Sequence, residues 1–486
     1  MSHASQTDSP TNILVFFCDQ LRIDLLACYG GRTVRTPNID ALAAEACVFE
    51  RAYTPCALCS PARASLMTGV YPHRHHMFNN SSPGYSYCEH LRPDMAMFPD
   101  WAAAETEYET AYFGKWHIGP AADLFASRFD HTHPRPGQSD LPFLASSHWH
   151  PTTNLAPLVD AYGGGRGGTI ALPMERFPDV AAANFTRQFL RARESKNQPF
   201  CAFCAFPGPH SPWLVPESFG IRHDPSEIDL WPNRCDEFAG KPLNQVKLHR
   251  LGQRGRLKSW SDEETRELLA CLFSYMELID EQVGAVIAEL KRTGQYENTM
   301  IVFTADHGDM AGSHGFNSKG AYMYDEIYRI PLLIKPPGPA QGRRVPELVH
   351  LMDVTATLMH AMTGEQPESM GQHELHGESL LPLTAGETTW SRKVHYGEYH
   401  GDWYGHYSAR MVTDGTWKLV WNLSDLCELY DLENDPQELV NCFYDPACNE
   451  IRDHYFQLLT QEAERTGDRH VALRDPAVEN ESVLPT

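Results

Sequence analysis

No stretch of this chain runs for the roughly 18 uninterrupted apolar residues that a membrane-crossing helix needs, so the sequence offers no helical span. Basic residues are in short supply: 40 Lys+Arg face 63 Asp+Glu, a formal net charge of −23. That field repels nucleic acid and anionic membrane surfaces, and an anionic ligand has to be met by a local cluster of Lys, Arg, His or metal. Internal repeats are absent. The opening residues, Met1 to Asp8, hold neither a basic nor an apolar signal region. A cytoplasmic protein is therefore expected, a missing native leader being the alternative. A disulfide framework is lacking too: thirteen cysteines, an odd number, are scattered through strand- and helix-like segments such as those of Cys18, Cys47, Cys201 and Cys271, as reduced buried thiols would be. Cys56/Cys59 and Cys201/Cys204 have zinc-like spacing, but no second pair stands at a useful distance.

What the chain has is enough apolar content for a large core, 42% hydrophobic against 21% charged residues. Its 486 residues exceed one compact core. We expect a large α/β domain over 1–375 and a smaller α+β subdomain over 376–486.

Asn12–Cys18 is a continuous apolar run, as in a strand buried on both faces of a parallel sheet, and Asp19 stands at its carboxyl end, the edge where open α/β sheets build sites. Thr36-Pro37 reads as an N-cap and first helical position, with Ile39, Leu42, Ala43 and Ala46 as the apolar face. Ser261 and Glu264 form a capping box ahead of Leu268, Leu272, Met276, Ile279, Val283, Val286 and Leu290, a helical stripe that Gly294 ends. The strand predicted at 299–304 then delivers Asp306 and His307 to the same edge as Asp19. A helix over 179–193 and a strand at Phe200–Phe206 do the same for His210. A strand at 108–113, broken by Gly114, leads to Lys115 and His117. Residues 118–175, with the glycine-rich run 163–168 at the extreme, read as long loops. His131/His133 and His148/His150 lack a suitably spaced carboxylate for a metal. Strands at 393–398, 408–413 and Trp417–Asn422, the second and third joined by the hairpin turn Asp414-Gly415, suggest a small antiparallel sheet, with a final helix over 446–466 packed on it.

The most informative segment is Cys59-Ser60-Pro61-Ala62-Arg63, continued by Ala64-Ser65-Leu66-Met67-Thr68-Gly69. With Asp19-Gln20, Gly114-Lys115-Trp116-His117, His210 in Pro209-His210-Ser211-Pro212, Asp306-His307-Gly308 and Lys319, it resembles the sulfatase family, whose motifs occur in this order. The resemblance implies an alkaline-phosphatase-like fold: a large, mixed, mostly parallel sheet between helices, plus a small C-terminal antiparallel sheet with a helix. It implies a sulfuric ester hydrolase in which Cys59 is oxidised to formylglycine by a formylglycine-generating enzyme, and in which sulfate passes through a covalent adduct at that residue. One divalent metal, Ca²⁺ first with Mn²⁺ or Mg²⁺ as alternatives, would be held by Asp19, Gln20, Asp306, His307 and residue 59. Arg63 would hold the aldehyde hydrate, Lys115 bind diol and sulfate oxygens, and His117 act as base. His210 and Lys319 would neutralise sulfate and protonate the leaving oxygen.

Those assignments compete with plainer ones. Asp19 could simply cap the next helix, Lys115 could be exposed and His117 structural. Oxygen-rich donors favour Ca²⁺, Mg²⁺ or Mn²⁺ over zinc, while the nitrogen of His307 tilts toward Mn²⁺. Ser60 to Arg63 should begin a helix, placing Cys59 at its positive end. The chain departs from most calcium sulfatases at Gln20 and His307. Those residues, with Asn80 at its offset from Cys59, also resemble the phosphonate monoester hydrolases, a phosphonate or phosphate ester being the alternative substrate; Asn79 competes for the Asn80 role. A catalytically inactive anion-binding protein is a third reading. Small anionic esters, aryl sulfates or sulfated sugars, are the expected ligands, with His400, Trp403, Tyr404 and His406 as candidate pocket residues, and a homo-oligomer is open.

Overall fold

The computed structural model describes residues 11–81, 86–119, 128–133, 167–251, 261–387, 389–402 and 405–471. Among them, the main sheet runs in the order Arg343–His350, Cys47–Tyr53, Leu332–Lys335, Thr299–Ala305, Asn12–Cys18, Phe200–Phe206, Glu109–Gly114 and His131–His133, with the short Arg329–Ile330 also on Cys47–Tyr53. Every pairing from Thr299–Ala305 to His131–His133 is parallel, and Leu332–Lys335 is antiparallel to both neighbours.

Alternation along the central strand builds two apolar layers, because successive side chains leave opposite faces. Leu14, Phe16 and Cys18 join the cluster holding Leu268, Leu272, Met276, Ile279 and Val283 of the long helix Asp262–Arg292. Ile13, Val15 and Phe17 join the opposite cluster, with Leu66 and Met67 of the helix Cys59–Thr68 and Val354 and Leu358 of Leu351–Thr363. The capping box is made in full: Ser261 Oγ accepts from Glu264 N (3.1 Å) and Glu264 Oε2 from Ser261 N (2.7 Å).

A second sheet, His395–Tyr399, Ala409–Thr413, Trp417–Asn422 and Glu428–Asp431, is antiparallel throughout, and the helix Asn449–Thr466 packs Tyr455, Phe456 and Leu459 against its Leu419 and Trp421. Gly415 turns the hairpin at φ +87° while Asp414 Oδ1 accepts from Thr416 N and Trp417 N.

Two local expectations change. Thr36 makes no side-chain cap to its helix; the buried Asp280 of the long helix accepts from Asn38 N (3.1 Å) and Ile39 N (2.8 Å) instead. Gly167 and Gly168 are not loop but open a strand, Gly167–Ile170, paired with Trp213–Pro216. A Cβ on Gly167 would lie 3.0 Å from Cys271 Sγ, so close packing on the long helix accounts for that glycine. His131 reaches Glu109 rather than a metal cluster. His148 and His150 lie outside the described residues, as do Gly163, Gly164, Gly165, Arg166, Trp403 and Tyr404.

The small sheet is tied to the Cys59 helix by a buried ion pair. His73, just past that helix, gives Nδ1–H to Glu398 Oε1 (2.5 Å) and Nε2–H to the Thr466 carbonyl (2.9 Å). Both ring nitrogens face acceptors, so the ring is an imidazolium. Burial alone would lower its pKa, but Glu398 and the carbonyl hold it above the ordinary value. Burial likewise opposes the Glu398 charge, yet His73 and His400 hold that carboxyl well below its usual range. The His73 contribution is therefore complete below about pH 6.5 and lost as pH rises through its raised folded pKa; that of Glu398 is lost as pH falls through its depressed one. We predict that His73→Gln lowers the unfolding free energy by about 3 kcal/mol near pH 6, and that the deficit narrows at alkaline pH. Denaturant unfolding of both proteins across pH measures it, and a deficit constant up to pH ~10 would contradict an imidazolium.

Candidate active site

Register brings the site together. Cys18 pairs with Ala305 on one side and Phe206 on the other, and Gly114 pairs with Ala205. The ladder runs one step further: Asp306 N donates to Cys18 O (3.1 Å), Asp19 N to Gly208 O (3.1 Å) and Lys115 N to Ala205 O (2.9 Å). Asp19, Asp306 and Lys115 thus emerge from neighbouring strand ends, with His210 on the connection after Phe206. Gly114 is at φ +116°, and a Cβ there would strike Ala205 O, so only glycine lets the chain turn into Lys115.

Cys59 is the first residue of its helix, with Leu58 as N-cap, and its Sγ lies 3.7 Å from Asp19 Oδ1 and 3.4 Å from His307 Nε2. One turn on, Arg63 lies beneath it. Its Nη2 donates to Asp19 Oδ2 (2.9 Å), Nε to Asp306 Oδ2 (2.8 Å) and Nη1 to the Lys115 carbonyl (2.7 Å). The guanidinium is 1% exposed and both carboxylates are fully buried. Arg63 therefore braces the two carboxylates.

Lys115 Nζ stands 2.6 Å from Asp19 Oδ2, and Lys319 Nζ lies 2.9 Å from His210 Nε2 and also meets Gln20 Oε1. His210 Nδ1 faces the Ser211 carbonyl (2.5 Å), which fixes its proton there and leaves Nε2 to accept from Lys319. The segment after Lys115 is not extended, since His117 is at φ +63°, and the His117 side chain bonds Cys59. His117 and His210, only half-buried, form the open side. Asn80 Oδ1 accepts from Ser60 N (3.0 Å) at the helix start and its Nδ2 donates to Asp402 Oδ2 (3.4 Å), whereas Asn79 turns to Tyr87 N. His400 is committed to Glu398 Oε2 (2.7 Å), and His406 stacks on Tyr87 at 4.5 Å.

Charge is strongly perturbed throughout. Burial would raise the Cys59 thiol, but Lys115, Lys319 and His307 bring it well below its ordinary value. Burial and Cys59 oppose the Asp19 charge, and Lys115 and Arg63 prevail, keeping it ionised. Asp306 is pushed up to about 6 by burial and by Asp19. Lys319 would fall on burial alone; Cys59, Asp19 and Asp306 hold it up. Burial, then Lys319 and Lys115, lower His210; burial and Lys115 lower His117.

The donor set fits a divalent cation. Asp19, Asp306, His307 and Cys59 each offer one atom, all within 4.8 Å of one another and all buried. His307 Nδ1 faces the Gly308 carbonyl (2.8 Å), so Nε2 is the ring nitrogen turned to the cluster, a ligand once it gives up its proton to a cation. Gln20 stands at the same edge at φ +61°, its oxygen on Lys319 and its amide on Asp309. Asp309 was not singled out from the sequence, although it follows Asp306-His307-Gly308. Its Oδ1 also accepts from Ala311 N and Ser318 N, both at 2.8 Å. Tyr112, also missed, donates to the Lys115 carbonyl (2.6 Å).

A mixed, mostly parallel sheet, with the Cys59 helix and a cluster of candidate metal donors at its carboxyl edge, has the architecture of the alkaline phosphatase superfamily. The Sulfatase family model matches residues 11–364, and the model described as N-sulphoglucosamine sulphohydrolase, C-terminal, matches 312–465. The chain is 30% identical to sulfatase YidJ of Escherichia coli strain K12, over 91% of this chain and 84% of that one. It is 26% identical to the Delta 4,5-hexuronate-2-O-sulfatase of Bacteroides thetaiotaomicron, over 98% and 94%. The crystal structure of the phosphonate monoester hydrolase of Agrobacterium radiobacter superposes with a TM-score of 0.75 at 25% identity, covering 94% of this chain and 96% of that one. The chain belongs to the sulfatase family and is a sulfuric ester hydrolase.

Arg63→Lys keeps the charge but loses the fork, leaving one buried carboxylate without its partner. We predict a loss of about 3 kcal/mol in unfolding free energy. Denaturant titration measures it, and a change under about 1 kcal/mol would show that the bridge does not hold the strand ends.

Proposed function

We propose that the chain hydrolyses a sulfate monoester at residue 59, in its formylglycine form, with one divalent cation held by Asp19, Asp306, His307 and Gln20. The observation that carries this reading is the position of Cys59, at a helix N-terminus within 3.7 Å of Asp19 and 3.4 Å of His307. Hydrated formylglycine would supply the attacking hydroxyl and a second hydroxyl for release of sulfate, and the cation would supply positive charge for its ionisation. Lys115 and Lys319 flank the place where a sulfate would sit and offset its charge. Lys319, kept protonated by the anions around it, hands a proton to the leaving oxygen, and neutral His210 accepts a hydrogen bond from it and so aims it. His117, kept neutral by burial and Lys115, removes the proton whose loss expels sulfate.

A sulfated sugar is the substrate class we favour, since the matched Bacteroides relative is a hexuronate sulfatase. Aryl sulfates are the simpler alternative. A phosphonate or phosphate ester is the second reading, favoured by Gln20 and His307 at the edge and by the phosphonate monoester hydrolase neighbour.

Peptide mass spectrometry should show the thiol of residue 59 replaced by an aldehyde, and elemental analysis should show one equivalent of Ca²⁺, Mn²⁺ or Mg²⁺. Cys59→Ala should retain the ion and lose at least about a thousandfold in turnover; His117→Ala should lose about 10²–10⁴-fold. Hydrolysis unchanged by Cys59→Ala would sink the proposal. Parallel assays on sulfate, phosphate and phosphonate esters rank the substrates, and a phosphonate preference would move the chain to the second reading.

A further inference from the structure

The Cys59 helix has a second end. Ten residues at a rise of about 1.5 Å put its carboxyl terminus about 15 Å from Cys59. There the described residues line an open-mouthed cavity of about 550 Å³ between the turn after that helix, the stretch around Arg92, the strand at His373 and the segment past Asn449–Thr466. In a chain of net charge −23 its wall is basic: Arg74, Arg92 and Arg469, with His76, His373 and His470.

The acids on this wall are already answered. Asp94 is bound by Arg92 at 2.5 Å. Asp468 accepts from Arg410 Nε (2.5 Å), Tyr396 OH (2.8 Å) and His470 N (3.0 Å). His73, Glu398 and Asp468 cluster as metal ligands might be expected to, yet both His73 nitrogens carry protons to acceptors and Glu398 is held by His73 and His400. No lone pair on His73 is left for a cation, and Arg410 lies against the group. By contrast, Arg74 and Arg469 are exposed residues that line the cavity, and their guanidiniums have no hydrogen-bond or ion-pair partner among the described residues. His373 gives its Nε2–H to the Thr68 carbonyl (2.9 Å), holding that ring in place.

Unpaired arginines lining a polar cavity, with both of its lining acids already paired, are the complement of a tetrahedral oxyanion. We propose that this cavity binds a sulfate group other than the one hydrolysed, through Arg74 and Arg469 with Arg92 beside them. The occupant's chemistry is the same whether it is free sulfate or a second sulfate on a larger sulfated glycan. The inference stands apart from the catalytic reading, because it concerns binding at the opposite end of the helix.

The test is diffraction from crystals of the full chain grown in chloride and soaked in sodium selenate, with anomalous scattering locating selenium. The expected result is a peak in the cavity within hydrogen-bond reach of Arg74 and Arg469, lost in the R74E/R469E double variant. Both side chains are exposed, so the variant should match wild type in thermal unfolding and in kcat on a monosulfated sugar. A cavity without selenium, or a peak that survives in the double variant, overturns the proposal. A peak missing only at Cys59 counts against the catalytic reading instead. KM separates the two sources: a rise of about tenfold confined to a multiply sulfated oligosaccharide assigns the site to glycan sulfate. Unchanged KM on both substrates, with the selenium peak lost, assigns it to the free anion.

Discussion

Two carboxylates on neighbouring strand ends, fully buried, cannot both stay ionised without a cation between them, and Arg63 is that cation. Its planar fork reaches one oxygen of each, a task the point charge of a lysine cannot perform. Arg63 and Cys59 are four residues apart on one helix and so share a face. The group that reconciles the two strands therefore also sets the height of residue 59 above them. The position of residue 59 and the carboxylate charge follow from a single constraint.

The remaining charges are arranged around that bridge. Overall the molecule repels anions, and at physiological salt its field fades over about 8 Å, so the approach of an anionic ester is decided locally. Lys115, Lys319 and the His307 side chain surround Cys59 closely enough to depress its thiol despite burial. The same grouping would welcome the charge of a sulfate. Asp309 orients one side of it: its Oδ1 is fixed by two backbone N–H groups, its Oδ2 takes the Gln20 amide, and Gln20 then presents its oxygen to Lys319.

Much of this was legible in the chain. Asn12–Cys18 and Phe200–Phe206 announce themselves as buried parallel strands because they are apolar without alternation, and the residue after such a strand lies on the functional edge. The long helix is readable from its stripe and its capping box, since both signals are local. What was hidden depends on partners far along the polypeptide. Asp280, 242 residues from the Asn38 N–H it accepts, displaces Thr36 as the cap. Gln20 finds Asp309 across 289 positions, and Gly167 is a strand residue because of a helix far later in the chain. Arg63 could be chosen from its motif, but the direction of its fork required the register of two strands.

The small C-terminal sheet is part of the site's mechanics. The Cys59 helix is gripped at its start by Asn80, whose amide reaches Asp402, and just beyond its end by His73 on Glu398. Glu398 N also donates to Pro55 O, in the approach to the helix. Asp402 and Glu398 both belong to the first strand of that sheet or the turn after it. A helix fixed at both ends by one strand cannot tilt without moving it. A tilt of one end by an ångström is of the size that separates productive from unproductive placement of a reacting atom. The sheet therefore bears on the placement of residue 59 through both ends of its helix, and a change in its packing is transmitted to that residue.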